Sequence, residues 1–147
     1  MVQPSVVHLL DWNAARDEAR RVREEVFVRE QGVPIEMEWD EWDERCVHAL
    51  AVDQAGRAVG TGRLLPDGRI GRMAVLRTWR GRGVGTAILE ALMQPARQQD
   101  MPAITLHAQT HAAAFYGRYG FSAVGEIFME AGIPHVTMTL RLSSGPA

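Results

Sequence analysis

RIGRMAVLRTWRGRGVGTAILEAL, residues 69–92, passes from an apolar segment through a glycine–arginine loop into a helical repeat. Ile70, Met73, Ala74 and Val75 read as a strand. Arg80-Gly81-Arg82-Gly83-Val84-Gly85 is the loop. Val84, Ile88, Leu89 and Leu92 then recur at helical spacing, with Ala87 and Ala91 beside them. A helix N-terminus presents unpaired N–H groups and the positive end of its dipole. Glycines keep side chains out of an anion's way, and Arg80 and Arg82 add fork-shaped cationic donors. The stretch predicts a pyrophosphate-type site. It is not a P-loop, because the chain contains no lysine and no Gly-Lys-Ser/Thr. It also fails the dinucleotide fingerprint, which would need glycine where Thr86 stands.

Outward from this stretch the chain reads as one domain over residues 1–147, 46% apolar and with net charge −2. That charge implies no general pull toward nucleic acid or anionic membrane. The single cysteine, Cys46, excludes an internal disulfide and, opening a strand without an activating partner, is a poor nucleophile. No leader or apolar run of spanning length is present, so a cytoplasmic location is expected. Residues 143–146 read as a frayed tail.

Residues 5–10 form a first strand, and Asp11 or Asn13 caps a helix running to about Gln31, with Ala15, Ala19, Val22 and Val26 inward. Gly32 stops it. Residues 32–45 read as a loop with one helical turn. Residues 36–44 carry six acids among Met37, Trp39 and Trp42, either a solvated loop or an acidic, aromatic rim for a cationic acceptor. Strands follow at 46–53, 57–65 and 69–76, joined by tight turns, with Gly60 and Gly62 marking a bulge or a close backbone approach. A helix spans about 83–99, kinked or restarted at Pro95. A strand at 103–108, a helix at 111–120, a strand from 121 to about 129, a turn at 130–134 and a last strand at 135–142 complete the order. On that last strand His135, Thr137, Thr139 and Arg141 share one face. The order β-α-β-β-β-α-β-α-β-β defines an α/β fold: a mixed, mostly antiparallel sheet flanked by helices, with strands 4 and 5 parallel across a right-handed crossover.

Arg80, Gly83 and Gly85 match motif A of the GCN5-related N-acetyltransferases, Arg/Gln-x-x-Gly-x-Gly/Ala. Ala112, Tyr116, Gly120 and Phe121 match that family's motif B at the right separation. The resemblance covers nearly the whole chain. Residues 26–31 (VFVREQ), the acidic loop, His48, Gln109-x-His111 and Gly132-Ile133-Pro134-His135 further resemble the bacterial ElaA/YjcF-type branch.

The resemblance implies N-acetyl transfer from acetyl-CoA, as co-substrate, to a primary amine of a small molecule or peptide by direct attack in a ternary complex. No metal, nucleic acid or membrane partner is implied, and dimerisation is left open. It implies splayed strands 4 and 5 with pantetheine between them, held by Met73, Ala74 and Val75, and an Ala74 N–H polarising the thioester. Arg80, Gly81, Arg82, Gly83, Val84, Gly85 and Thr86 would cradle the pyrophosphate. Gln109, where many members carry Asn, and Phe115 would flank the arm, and Arg118 (with Arg77) would serve the 3′-phosphate region. Tyr116 would protonate the leaving thiolate. Base candidates are Glu30, Glu36, His48, His111 and His135, with Glu30 and His111 foremost. A non-catalytic acyl-CoA sensor is the alternative.

Overall fold

The computed structural model describes residues 6–38 and 40–142. Residue 5, Trp39 and the tail at 143–147 lie outside the described residues. The first strand, β1, is Val6–Leu10. Asp11 caps the following helix, its carboxylate accepting from the Ala14 N–H at 2.9 Å. Helix α1 covers Trp12–Arg23, and Ala15, Ala19 and Val22 are buried as their spacing predicts. Over Glu24–Glu30 the same helix widens to π-type winding, a feature its residues do not announce. Gly32, at φ 76°, ends it.

Residues 32–45 are more ordered than a loop with one turn. They form a short helix α2, Ile35–Glu38, and a 3₁₀ turn, Glu41–Arg45, capped by Asp40. Neither reading of the acidic segment survives intact, because Glu38, Asp40 and Asp43 turn inward. Arg23 of α1 donates to Glu38 through Nε and to Asp43 at 2.9 and 3.1 Å. Arg63 bridges Asp40 at 2.7 and 2.8 Å and Asp43 at 2.8 Å. These three acids pin the α1–β2 connection to the sheet through ion pairs with Arg23 and Arg63, while Glu36, Glu41 and Glu44 stay exposed.

Strands β2 (Val47–Val52), β3 (Ala58–Leu64) and β4 (Arg69–Val75) form an antiparallel meander. Helix α3, Val84–Gln98, leads to β5, Ala103–Gln109, which lies parallel to β4. It winds continuously through Pro95, so of the kink or restart expected there the restart does not occur. A 3₁₀ turn at Thr110–Ala112 opens α4, Ala113–Gly117, shorter than expected. The hairpin β6 (Ser122–Glu130) and β7 (Ile133–Arg141) closes the chain. Ala131 and Gly132, both at positive φ, make its two-residue turn, so Pro134 and His135 already belong to β7. The sheet order is β1-β2-β3-β4-β5-β7-β6.

The two faces carry separate cores. One joins Ala15, Ala19, Val22 and Val26 to Leu50, Ala58 and Ala74. The other joins Ile88, Leu89, Leu92 and Met93 of α3 to Ala49, Val59, Ile70, Ile104 and Leu106. Ile88, Leu89 and Leu92 are wholly buried, each worth about 1.5–3 kcal/mol of apolar transfer. Gly60 and Gly62 let α3 come close. A Cβ at Gly60 would sit 2.8 Å from both Ile88 and Val84, and one at Gly62 2.9 Å from Ile88.

Strands β4 and β5 pair only at Arg69↔Thr105 and Ile70↔Leu106. Beyond Ile70 they part. A bulge marks the departure: between Gly71 and Ala74 the β4 register gains a residue against β3, and Arg72 takes φ 51°. The parallel, splayed pair is thus present as expected.

Candidate active site

The opening between β4 and β5 has one edge of free backbone. Leu76 N–H donates to the Val59 carbonyl of β3 at 2.9 Å. Alternation along the strand therefore turns Ala74 toward β3 as well, and Met73 and Val75 toward the gap. This corrects the expectation for Ala74: its N–H faces the neighbouring strand, and the groups available to a ligand belong to Met73 and Val75.

At the C-terminal end of the gap stands the α3 N-terminus. Gly81 and Gly83 have φ 76° and 81°, and no atom lies within 4 Å of a Cβ added at either. Ala87 N–H donates to the Gly83 carbonyl at 3.0 Å to open α3, which leaves the Val84, Gly85 and Thr86 N–H groups at the head of the dipole. Phe115 lies 3.6 Å from the Cβ position of Gly85, and Tyr119 donates to the Thr86 hydroxyl at 2.8 Å, so α4 is fastened to this turn. The cradle and the gap suit a long ligand with an anionic middle and an extended, amide-bearing arm.

The arginines divide differently from expectation. Arg82 extends over Trp79, its guanidinium 5.0 Å from the ring centroid, and Arg118 is exposed at the end of α4. Arg80 grips Glu30 with both terminal nitrogens at 2.6 and 2.7 Å and donates Nε to the Val75 carbonyl at 3.0 Å. It bolts the end of α1 to the loop in place of reaching freely for phosphate. Glu30 therefore does not fit the role of base: hydrogen bonds from Arg80, with Arg77 3.8 Å away, hold its carboxyl below the usual range. His111 is exposed and, like Glu30, is not part of the cavity wall. Glu36 is exposed too. His48 is structural: 1% exposed, 2.8 Å from the Asp43 carbonyl and packed on Trp12, it is pushed down by burial toward its neutral form.

A cavity of about 350 Å³ lies at the splay, within the size range of small-ligand sites. Its wall comes from the end of α1 (Phe27, Gln31), α2 (Met37, Glu38), β4 (Ile70–Met73), β5 (Leu106, His107, Gln109), α4 (Tyr116) and the β6–β7 hairpin (Glu130, Ile133, His135). Gln109 does not stand free beside the gap: its amide and that of Gln31 face each other at 3.0 and 3.4 Å. Tyr116 directs its hydroxyl at the Met73 sulfur, 3.6 Å away, and burial pushes its pKa up to about 12. It stays protonated and able to donate. Cys46 is buried, and burial raises its thiol to about 11, which removes it as a nucleophile.

Four members of the wall were not singled out as site residues by sequence reasoning. Arg72 leans from the bulge toward the Met37 and Glu38 carbonyls, both at 3.3 Å. Glu38 has its carboxyl raised by burial against the pull of Arg23. Glu130 lies 3.1 Å from His107 and 3.5 Å from His135. Other wall residues were candidates from the sequence: Tyr116 as acid, His135 as base, Met73 and Gln109 for the cofactor arm, with Glu38 inside the acidic segment. Among the described residues no group of His, Cys, Asp or Glu could hold a metal ion.

A splayed parallel pair beside a glycine-rich helix start, with the part-buried Tyr116 on the cavity wall, is the arrangement of an acyl-CoA N-acyltransferase fold. The acetyltransferase (GNAT) domain family matches residues 15–142. YjcF of Bacillus subtilis, named an uncharacterized N-acetyltransferase, is 41% identical over 121 residues, covering 80% of this chain and 86% of that protein. An acyl-CoA N-acyltransferase from Pseudomonas aeruginosa has a similar structure, with TM-score 0.82 at 32% identity, over 92% of this chain and 98% of that one. ElaA of Escherichia coli gives TM-score 0.80 at 26% identity, over 91% and 98%. The chain belongs to the GCN5-related N-acetyltransferase family, on the branch that includes YjcF and ElaA, and is an acyltransferase.

Proposed function

We propose that this enzyme transfers an acetyl group from acetyl-CoA to a primary amine, on a small molecule or a peptide, by direct attack within a ternary complex. The observation that carries the reading is Tyr116: a hydroxyl kept protonated by burial, in the β4–β5 gap beside Met73, between the α3 cradle and the cavity. Pyrophosphate on the Gly81–Thr86 N–H groups would send the pantetheine arm along Met73 and Val75. The thioester then meets the cavity, where an amine can approach its carbonyl carbon. Nitrogen bonds to that carbon, the C–S bond breaks, and Tyr116 gives its proton to the departing thiolate. The N-protonated amide left by that collapse gives its surplus proton to the tyrosinate, which restores Tyr116. An acetyl-enzyme has no evident carrier, since Cys46 is buried and its thiol is raised.

The test follows free thiol release from acetyl-CoA over a panel of small amines and amino-terminal peptides. Release with at least one amine is expected, and Tyr116→Phe lowers kcat by about 100-fold or more with the Kd of CoA little changed. Binding of acetyl-CoA without thiol release over the whole panel would replace the enzyme reading with that of a sensor.

A further inference from the structure

Acetylating a protonated amine releases one proton overall: R–NH₃⁺ and the thioester become the amide, CoA thiol and H⁺. That proton has to leave a cavity walled by protein. We propose that His135 Nε2 takes it from the acceptor ammonium and that Glu130 and His107 pass it to solvent. This rests on the acyl-transfer reading above and adds to it the base and the proton's exit.

The geometry begins with the strand order. Placing β7 between β5 and β6 sets His135 opposite both Gln109 and Phe128, and Glu130 opposite Ile133. His135 is 6% exposed, and its Nδ1 lies 2.7 Å from the Ile133 carbonyl. A carbonyl can only accept, so Nδ1 carries the hydrogen and Nε2 is left with the lone pair. Nε2 in turn lies 3.5 Å from Glu130 Oε2. The other carboxylate oxygen, Oε1, is 3.1 Å from His107 Nδ1. Exposure rises along the series, from a buried His135 to side chains of Glu130 and His107 that are 44% and 43% exposed. Phe128 stacks on His135 at 5.9 Å and meets His107 edge-on at 5.0 Å, which holds the two rings apart and leaves the carboxylate as their link. All three residues line the cavity. The other charged or titratable groups there are Arg72, Glu38 and Tyr116, and none reaches this series through a hydrogen bond or ion pair shown among the described residues.

In one step the ammonium N–H bond breaks and the Nε2–H bond forms, leaving a neutral amine to attack. In the next, the Nε2–H bond breaks as Glu130 Oε2 takes the proton. The half-exposed carboxyl turns to present that O–H to the Nδ1 lone pair of His107, which takes the proton and loses it to buffer, so no charge accumulates after a cycle.

The experiment uses the full chain, acetyl-CoA and an amine that the wild type acetylates. His135→Ala is expected to lower kcat about 100-fold with the KM for acetyl-CoA held, and added imidazole restores a large part of the loss. Glu130→Gln and His107→Gln, at half-exposed positions that do not threaten folding, are expected to lower kcat severalfold at low buffer concentration and to recover as buffer rises. Loss of activity in His135→Ala without imidazole rescue, together with buffer-independent kinetics in the other two, would overturn the proposal and leave the series as a strand fastening. A wild type that acetylates no amine is a different failure: it removes the transfer reading itself, and the relay with it.

Discussion

Single residues in this protein are defined by what they pair with. Six of the seven arginines between 57 and 82 lie within ion-pair distance of carboxylates: Arg57, Arg63, Arg69, Arg72, Arg77 and Arg80. A stretch that looks like a basic patch is thereby largely neutralised by the chain's own carboxylates. Arg23–Glu38 is the most deeply set pair, with 1% and 0% of the side chains exposed, and Arg23–Asp43 and Arg63–Asp43 are nearly as deep, with Asp43 at 4% and Arg63 at 7%. Asp43→Ala would leave two buried guanidinium groups short of a partner. We expect a loss of about 3–5 kcal/mol in urea unfolding; a change below about 1 kcal/mol would contradict the buried network. The same residues set the response to acid. Burial pushes the Asp40 carboxyl up, but hydrogen bonds and charge from Arg63 outweigh it and hold it at about 2, against an ordinary 3.8. Asp43 is lowered for like reasons. A folded pKa below the unfolded one stabilises above the unfolded value, and that contribution fades as pH falls from about 4 toward about 2. Glu38 works the other way, since burial raises its carboxyl, so its protonation on acidification offsets part of the loss. Wild-type stability should fall over that window, and the fall should be shallower in Asp43→Ala.

At the scale of elements, α3 and the strand beneath it act together. Gly60 and Gly62 admit the helix so closely that Val84, in its first turn, lies where a Gly60 Cβ would project. Gly60→Val should therefore do two things. Unfolding free energy should drop by about 1–3 kcal/mol from overpacking. The KM for acetyl-CoA should also rise, because the first turn of α3 is displaced from the cradle. Stability loss with an unchanged KM would mean that the helix start and the nucleotide site are uncoupled. Much at this scale was legible in the sequence. The strand–glycine–helix order around Arg80–Gly85 and the spacing of Ala15, Ala19, Val22 and Val26 are local signals, and local periodicity reports them directly. The widened winding at Glu24–Glu30, the bulge at Arg72 and the inward turn of Glu38 and Asp43 are not. Each depends on partners far along the chain, such as Arg23 finding Asp43. An arginine at φ 51° has no sequence signature of its own.

Over the whole molecule, the site is a product of strand order. Seven strands with one parallel neighbour pair create a divergence, and what argues for chemistry gathers there: gap-facing backbone at Met73 and Val75 (the Val75 carbonyl already held by Arg80), the α3 head, Tyr116 and the cavity. Motif A lies at this divergence, and two of the base candidates do not. Glu30 and His111 stand outside the cavity wall, while His107 and Glu130 enter it only because β7 lies between β5 and β6. Two histidines 28 positions apart, linked through a hairpin turn, could not be matched from periodicity alone. No described helix is long and apolar enough to cross a membrane. The central claim is that the Gly81–Thr86 turn and the gap beside it hold an acyl-CoA. Thermal unfolding with acetyl-CoA, CoA, NAD and ATP, in the wild type and in Gly83→Val, tests it most directly. Ligand at 100 times its Kd adds roughly 2.7 kcal/mol, which for a chain of this length raises Tm by roughly 5–10 °C. The account predicts that rise with both CoA species, none with NAD or ATP, and its loss in Gly83→Val. No shift with either CoA species, or an equal shift in the variant, would contradict it.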